Sequence, residues 1–137
     1  MGELKPTMAQ QIAEAAIAFQ RQTTGHAPKA VTVVVSQDTL VIVLHEALSP
    51  AETDLARSPA GAAQVQEFHR QLFAHSATLL CEEIRRITGV DVCEVAAEIA
   101  PATGAVQVLT SSAMVQVFRL AQSVPEDRWS GRGPDRR

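Results

Sequence analysis

The chain has 137 residues, of which 46% are hydrophobic and 20% are charged, and its formal net charge is -3. This balance predicts one globular domain that needs no disulfide or structural metal, and the net negative charge argues against a nucleic-acid partner. The longest apolar runs have about five residues, far short of the ~20 of a membrane helix, so we expect no transmembrane segment. The N-terminus lacks an apolar signal core, which predicts a cytoplasmic protein.

The first third of the chain predicts a helix followed by a β-hairpin. Thr7 and Gln10 have the spacing of a capping box, and apolar residues then recur at helical period until Gly25 offers a C-cap. Ala30–Ser36 and Leu40–Leu48 are rich in β-branched and aliphatic residues and are separated by a short polar turn. Both faces of the second strand are apolar, so we expect a cover on each face.

Two serine-proline pairs predict the starts of two further helices. Ser49-Pro50 predicts a short helix to about Arg57, and Ser58-Pro59 starts a long helix that runs to Thr88. The long helix would extend over roughly 40 Å, more than the breadth of a compact domain of this size. Its apolar arc is also wider than one packing partner needs. We therefore predict two partners for this helix.

The last part of the chain predicts a second hairpin and a C-terminal helix. Val90–Ala100 alternates like a half-solvated strand, a turn follows at 101–104, and 105–110 returns as the second strand. Residues 112–122 predict a helix, although the alternation in Val115-Gln116-Val117 also fits a strand.

Together these elements predict an α+β fold with two layers. An antiparallel sheet of two β-hairpins carries the N-terminal helix and the long helix on one face, in the order α-β-β-α-α-β-β with a possible C-terminal helix. We predict that residues 1–124 form this single domain and that residues 125–137 form a disordered polar tail.

The titratable residues form no pattern typical of catalysis or metal binding. Cys81 and Cys93 lie on different predicted elements, and the sequence has no Cys-x-x-Cys or His-x-x-x-His spacing. It has neither a Gly-rich phosphate loop nor a G-x-S-x-G nucleophile motif. We therefore predict a non-enzymatic protein with no catalytic residues, no metal and no cofactor.

Apolar residues that this fold leaves over predict an interface. Val34, Val41 and Val43 lie on the outer face of the first hairpin, where either a partner or the 112–122 segment would cover them. His69 lies in the apolar stripe of the long helix and is interpreted as a core or interface histidine with one nitrogen hydrogen-bonded; a pH-responsive interface residue is the alternative. A closed two-fold homodimer is the commonest way to bury such surface. The candidate interface residues are Val34, Val41, Val43, Phe68, His69, Leu72 and Leu79.

Several motifs resemble those of the MpsC-like family of small bacterial proteins. Leu48–Ala56 begins with Leu-Ser-Pro-Ala-Glu, which is similar to the family's Leu-Thr-Pro-Ala-Glu. The stretch 24–28 before a Val-rich hairpin, Phe68–Phe73, and Thr-Gly after the long helix match as well, so the resemblance covers roughly residues 7–110. The chain departs from the family at Ala27, where glycine is common, and in its extension after 110.

The resemblance implies a soluble accessory protein whose namesake is linked to a membrane system for inorganic-carbon or cation transport. It supplies no catalytic residues. We therefore expect a dimeric accessory or regulatory protein with a membrane transport subunit as a partner. The alternative is a small enzyme, or a ligand or metal sensor, whose site forms between subunits from His45, His69 or Glu98.

Overall fold

The computed structural model describes residues 6–125 except 101–112, together with Trp129. The chain has the predicted α+β class and the predicted order of elements. In chain order they are α1 (Met8–Thr24), β1 (Ala30–Ser36), β2 (Thr39–His45), α2 (Pro50–Leu55), α3 (Pro59–Thr88), β3 (Val92–Ala100) and β4 (Ala113–Leu120).

Each helix begins where a side-chain oxygen accepts a hydrogen bond from a free backbone N–H. Thr7 forms a capping box with Gln10 at the start of α1, and Ser49 forms one with Glu52 at the start of α2. Ser58 caps α3 in the same way, without the reciprocal bond. Such a cap stabilises a helix by about 0.5–2 kcal/mol. All three starts lie where the sequence predicts them.

Two glycines end the long helices. Gly25 after α1 and Gly89 after α3 have φ angles of 80° and 78°, a left-handed conformation that costs glycine little. Their N–H groups donate to the carbonyls of Arg21 and Arg85, at 2.9 and 2.7 Å. These bonds satisfy carbonyls that would otherwise have no partner at the helix ends.

The four strands form one antiparallel sheet in the order β1-β2-β4-β3. Ser36 pairs with Thr39, so Gln37 and Asp38 form a two-residue hairpin loop. β4 lies between β2 and β3 and has backbone partners on both sides. The first hairpin is therefore joined to the rest of the sheet through β4.

The core lies between one face of this sheet and the two long helices. Phe73 of α3 meets Phe118 of β4 edge to face, with ring centroids 6.3 Å apart. The buried residues of this core include Ile12, Ala16, Leu40, Ile42, Leu44, Leu80, Ile84, Met114, Phe118 and Leu120. All the strand members of this set alternate along β2 and β4, which is the period of a sheet with one buried face.

The predicted C-terminal helix over 112–122 is wrong. This part of the chain forms β4, in which buried and less buried residues alternate. The same apolar residues also fit a helical period, and pairing with strands on both sides decides between the two structures. β4 therefore extends the outer face of the sheet and does not cover it. The return strand predicted at 105–110 lies outside the described residues.

The core extends past the domain boundary predicted at residue 124. Trp129 is buried in the same cluster as Ile12 and Phe118, and its backbone N–H donates to the Pro125 carbonyl at 2.9 Å. The other residues of the predicted tail lie outside the described residues.

The helix α3 has 30 residues and is therefore about 45 Å long. It contacts α1, α2 and β3 within the chain, and its Phe73 also packs on Phe118 of β4. Over the described ranges, no helix combines the length and apolar character needed to cross a membrane.

Candidate functional site

The outward face of the sheet carries a row of valines that lies outside the buried core. Val34, Val41 and Val117 are register partners across three adjacent strands, and Val43 and Val115 form the neighbouring pair. Val34 is 50% exposed and the other four are partly exposed, and none of the five packs against the core cluster. We call these five residues the valine face. It contains Val34, Val41 and Val43, as predicted, and adds two residues from β4.

Charged residues flank the valine face in pairs of opposite sign. At one end of the first hairpin the Lys29 ammonium lies 3.9 Å from the Glu46 carboxylate. At the other end the Arg119 guanidinium lies 3.5 Å from the Asp38 carboxylate. The four side chains are between 41% and 74% exposed, so each pair contributes little to stability. Each end nevertheless presents one cation and one anion, and the valine face between them is uncharged.

The helix α3 presents a second apolar surface. Phe68 is 49% exposed and Leu79 is 58% exposed. They are eleven residues apart, which is close to three turns and places them on one side of the helix. Leu72 lies between them and is half-buried. These three predicted interface residues are therefore at or near the surface.

His69 does not share this exposed surface. Its side chain is only 2% exposed, and its Nε2 lies 2.8 Å from Oε2 of Glu52 in α2. The ring also meets that of Phe68 edge to face, at 5.3 Å between centroids. His69 is thus a core histidine with one nitrogen hydrogen-bonded, which is the first of the two interpretations above.

Both oxygens of the Glu52 carboxylate have structural partners. Oε1 accepts from the Ser49 N–H at 2.9 Å, and Oε2 faces His69. Burial acts to raise the pKa of Glu52, but the hydrogen bonds from Ser49 and His69 and the charge of His69 outweigh it, so the pKa lies below its ordinary value. Glu52 is therefore ionised at neutral pH, and its oxygens hold α2 against α3.

The structure does not bring together the residues of the alternative intersubunit site within one chain. His45 lies on the outer side of the sheet, where its Nε2 is 2.9 Å from the Thr32 hydroxyl. His69 lies among the helices on the other side. Glu98 lies in β3 as the register partner of Val115 in β4, and its side chain is outside what the structure describes.

The two cysteines lie on different elements, and their environments differ. Cys81 packs against the core, and burial raises the pKa of its thiol. Cys93 is exposed on β3. Among the described residues no group of three His, Cys, Asp or Glu side chains could hold a metal ion.

Sequence reasoning missed two polar residues at buried positions. Gln20 follows Ile12 and Ala16 at intervals of four along the buried side of α1. Gln116 occupies a buried position of β4 between Met114 and Phe118. Both could have been found from the sequence pattern, because each glutamine occupies a position where the helical or strand periodicity predicts an apolar residue.

One comparison with known proteins gives a match. The family model described as "Na+-translocating membrane potential-generating system (MpsC)" matches residues 5–111 of the chain. No curated protein and no solved structure matches the chain.

Proposed function

From the premise that the chain belongs to the MpsC family, we propose that it is a non-enzymatic, dimeric accessory protein of a membrane cation or inorganic-carbon transport system. The observation that carries the interaction role is the valine face, five apolar side chains in register on three strands and outside the core. Exposed apolar patches of this kind mark contact surfaces in many proteins.

The occupant that fits the valine face best is a second copy of the chain. A two-fold axis through the patch would place valines against valines and bury the same surface twice. The flanking pairs Lys29–Glu46 and Asp38–Arg119 give each end both signs of charge, so neither end would present only like charges to a second copy. An anionic lipid surface would instead call for a basic rim.

The proposed lack of catalysis is supported by the structural role that Glu52 and His69, a hydrogen-bonded titratable pair, already have. The Glu52 carboxylate is engaged on both oxygens by a helix cap and a buried imidazole. Its pKa is lowered, which is opposite to the change that prepares a carboxyl group as a general acid at neutral pH.

A second candidate is a small enzyme or sensor with a site between subunits. His45 favours it, because this histidine lies on the same side of β2 as Val41 and Val43 and would enter a dimer formed there. The two candidates differ in the effect of His45→Ala. If the protein is an accessory protein, His45→Ala should leave its dimer and its membrane association unchanged. If it is a sensor or an enzyme, His45→Ala should abolish its ligand response or its activity.

The link to a membrane system rests on the family description. We place the protein on the cytoplasmic side, in contact with a transport subunit that supplies the membrane-spanning part. The test is sedimentation of the tagged chain with membranes of its native cells. The chain should move to the supernatant when the gene for the transport subunit is deleted, and sedimentation that persists unchanged would contradict the association.

The dimer is tested with two matched charge substitutions. Val34→Asp and Leu79→Asp change apolar residues of similar exposure, one on the valine face and one on α3. Because each dimer would bury two new carboxylates, Val34→Asp should raise the dimer dissociation constant by at least about 100-fold, whereas Leu79→Asp should leave it unchanged. Analytical ultracentrifugation at micromolar concentration measures both, with circular dichroism as the check of folding.

Two results would overturn the proposed dimer. A wild-type chain that sediments as a 14.7 kDa monomer removes it altogether. Dissociation by Leu79→Asp with an intact Val34→Asp dimer moves the interface to the exposed side of α3, around Phe68 and Leu72.

A further inference from the structure

A narrow slot between α1, α3 and β4 contains two buried amide groups with unused hydrogen-bonding capacity. Gln20 is 7% exposed and Gln116 is 3% exposed. Among the described residues, Nε2 of Gln20 and Oε1 of Gln116 have no hydrogen-bond partner. Both side chains line the slot, together with His69.

Two such atoms in one place call for an explanation. More than nine-tenths of buried polar groups in folded proteins are hydrogen-bonded, because an unpaired one loses its water and gains nothing in return. The other amide atom of Gln116, Nε2, has only a long contact of 3.7 Å to the Met114 sulfur. One unused donor therefore comes from α1 and one unused acceptor from β4, and they open on the same space.

We propose that this slot is a binding site for one small uncharged molecule that accepts a hydrogen bond from Gln20 and donates one to Gln116. The other polar groups along the slot are already engaged. Thr24 and Ser76 donate their hydroxyl protons to the carbonyls of Gln20 and Leu72. This site is independent of the dimer and of the membrane association proposed above.

The charges around the slot select an uncharged ligand. The lining residues that the structure describes include no Lys, Arg, Asp or Glu. His69, the titratable residue among them, directs Nε2 to Glu52. A cation would meet the N–H groups of Gln20, and an anion would meet the carbonyl oxygen of Gln116. An uncharged molecule that both donates and accepts a hydrogen bond avoids both of these unfavourable contacts.

The space limits the size of the ligand. The slot has room for about one water molecule. Entry of a larger molecule requires the half-buried Leu72 and Phe73 to move, and both lie on its α3 side. Two sources share the required chemistry, namely solvent water and a small primary amide, which carries one acceptor oxygen and two donor hydrogens.

The full chain can be tested in two ways that separate these sources. A high-resolution crystal structure should show one occupant within about 3.2 Å of both amide groups. Acetamide is then titrated into ¹⁵N-labelled protein while the side-chain amide signals of Gln20 and Gln116 are followed. Saturable shifts identify an amide site. Water is identified if the crystal structure shows a single-atom occupant, acetamide causes no shift of the side-chain amide signals, and the Gln20 amide gives a cross-peak to water.

Three substitutions provide the controls. Gln20→Met and Gln116→Met keep the side-chain length and remove one partner each. Gln116→Met should abolish the water cross-peak at the Gln20 amide. If the occupant is an amide, either substitution should weaken acetamide binding at least tenfold. Gln22→Met changes an exposed glutamine of the same helix and should do neither. The proposal is overturned if the two wild-type amides bond directly to each other, or if an ion occupies the slot.

Discussion

Replacing Glu52 by alanine tests the contact that joins the first hairpin to the long helix. Two hydrogen bonds are lost at once, the 2.9 Å bond from the Ser49 N–H and the 2.8 Å contact with His69. The imidazole remains buried, since its side chain is 2% exposed, and it loses its carboxylate partner. A buried polar group left without a partner costs about 1–3 kcal/mol.

The expected loss follows from adding the two effects. Part of the capping contribution, which is about 0.5–2 kcal/mol for a whole cap, goes with the Ser49 bond. Together with the stranded imidazole, Glu52→Ala should lower the free energy of unfolding by about 2–4 kcal/mol. Glu52→Gln keeps an acceptor for Ser49 and a hydrogen-bonding group near His69, so it should lose only about 1 kcal/mol.

Urea denaturation measures these differences, provided that the slope of the transition is unchanged. Glu67→Ala serves as the control, because Glu67 forms an exposed pair with Arg70 on α3 and should change the free energy by less than about 0.5 kcal/mol. If Glu52→Ala unfolds at the same urea concentration as Glu67→Ala, the contact between Glu52 and His69 does not stabilise the fold and the reasoning fails.

Three further predictions concern the same region. Ser49→Ala should cost about 0.5–2 kcal/mol in urea melts, and an unchanged midpoint would show that the hydroxyl does not cap α2 in solution. Gly61→Ala should destabilise the protein by at least about 1 kcal/mol, although alanine is normally the better helix former, because the new Cβ would lie 1.9 Å from the Leu55 carbonyl oxygen; a stabilised variant would contradict this close approach. The stability that depends on Glu52 should be full above its ordinary pKa of 4.5 and disappear as the pH falls through the lowered folded pKa. Urea melts at a series of acidic pH values should therefore show wild type and Glu52→Gln converging at low pH and separating again as the pH rises to about 5.

Local signals in the sequence predict most of the elements well. The Ser49 and Ser58 caps and the glycines at 25 and 89 act within a few residues of where they stand, so they fix the helix ends without help from the rest of the fold. The strand β1 has the same bounds in the structure as in the prediction, because its composition and its turn are both local features.

Features that depend on distant partners were predicted less well. Residues 113–120 carry an apolar pattern that fits both periods, and their strand state comes from pairing with β2 and β3. Gln20 and Gln116 are about a hundred residues apart in sequence. They line the same slot because α1 packs on the sheet face to which the buried side chains of β4 point. No spacing rule could have joined them.

The contact between Glu52 and His69 shows how one local motif can also serve a distant one. Glu52 is the third helical residue of α2 and completes the capping box with Ser49. The capping bond uses Oε1 and thereby orients the carboxylate, which leaves Oε2 to meet the imidazole of α3. Because α2 directly follows β2, this bond links the hairpin that carries Val34, Val41 and Val43 to the long helix. A substitution at Glu52 should therefore weaken the attachment of the first hairpin, and with it the valine face, to the long helix without altering any residue of that face.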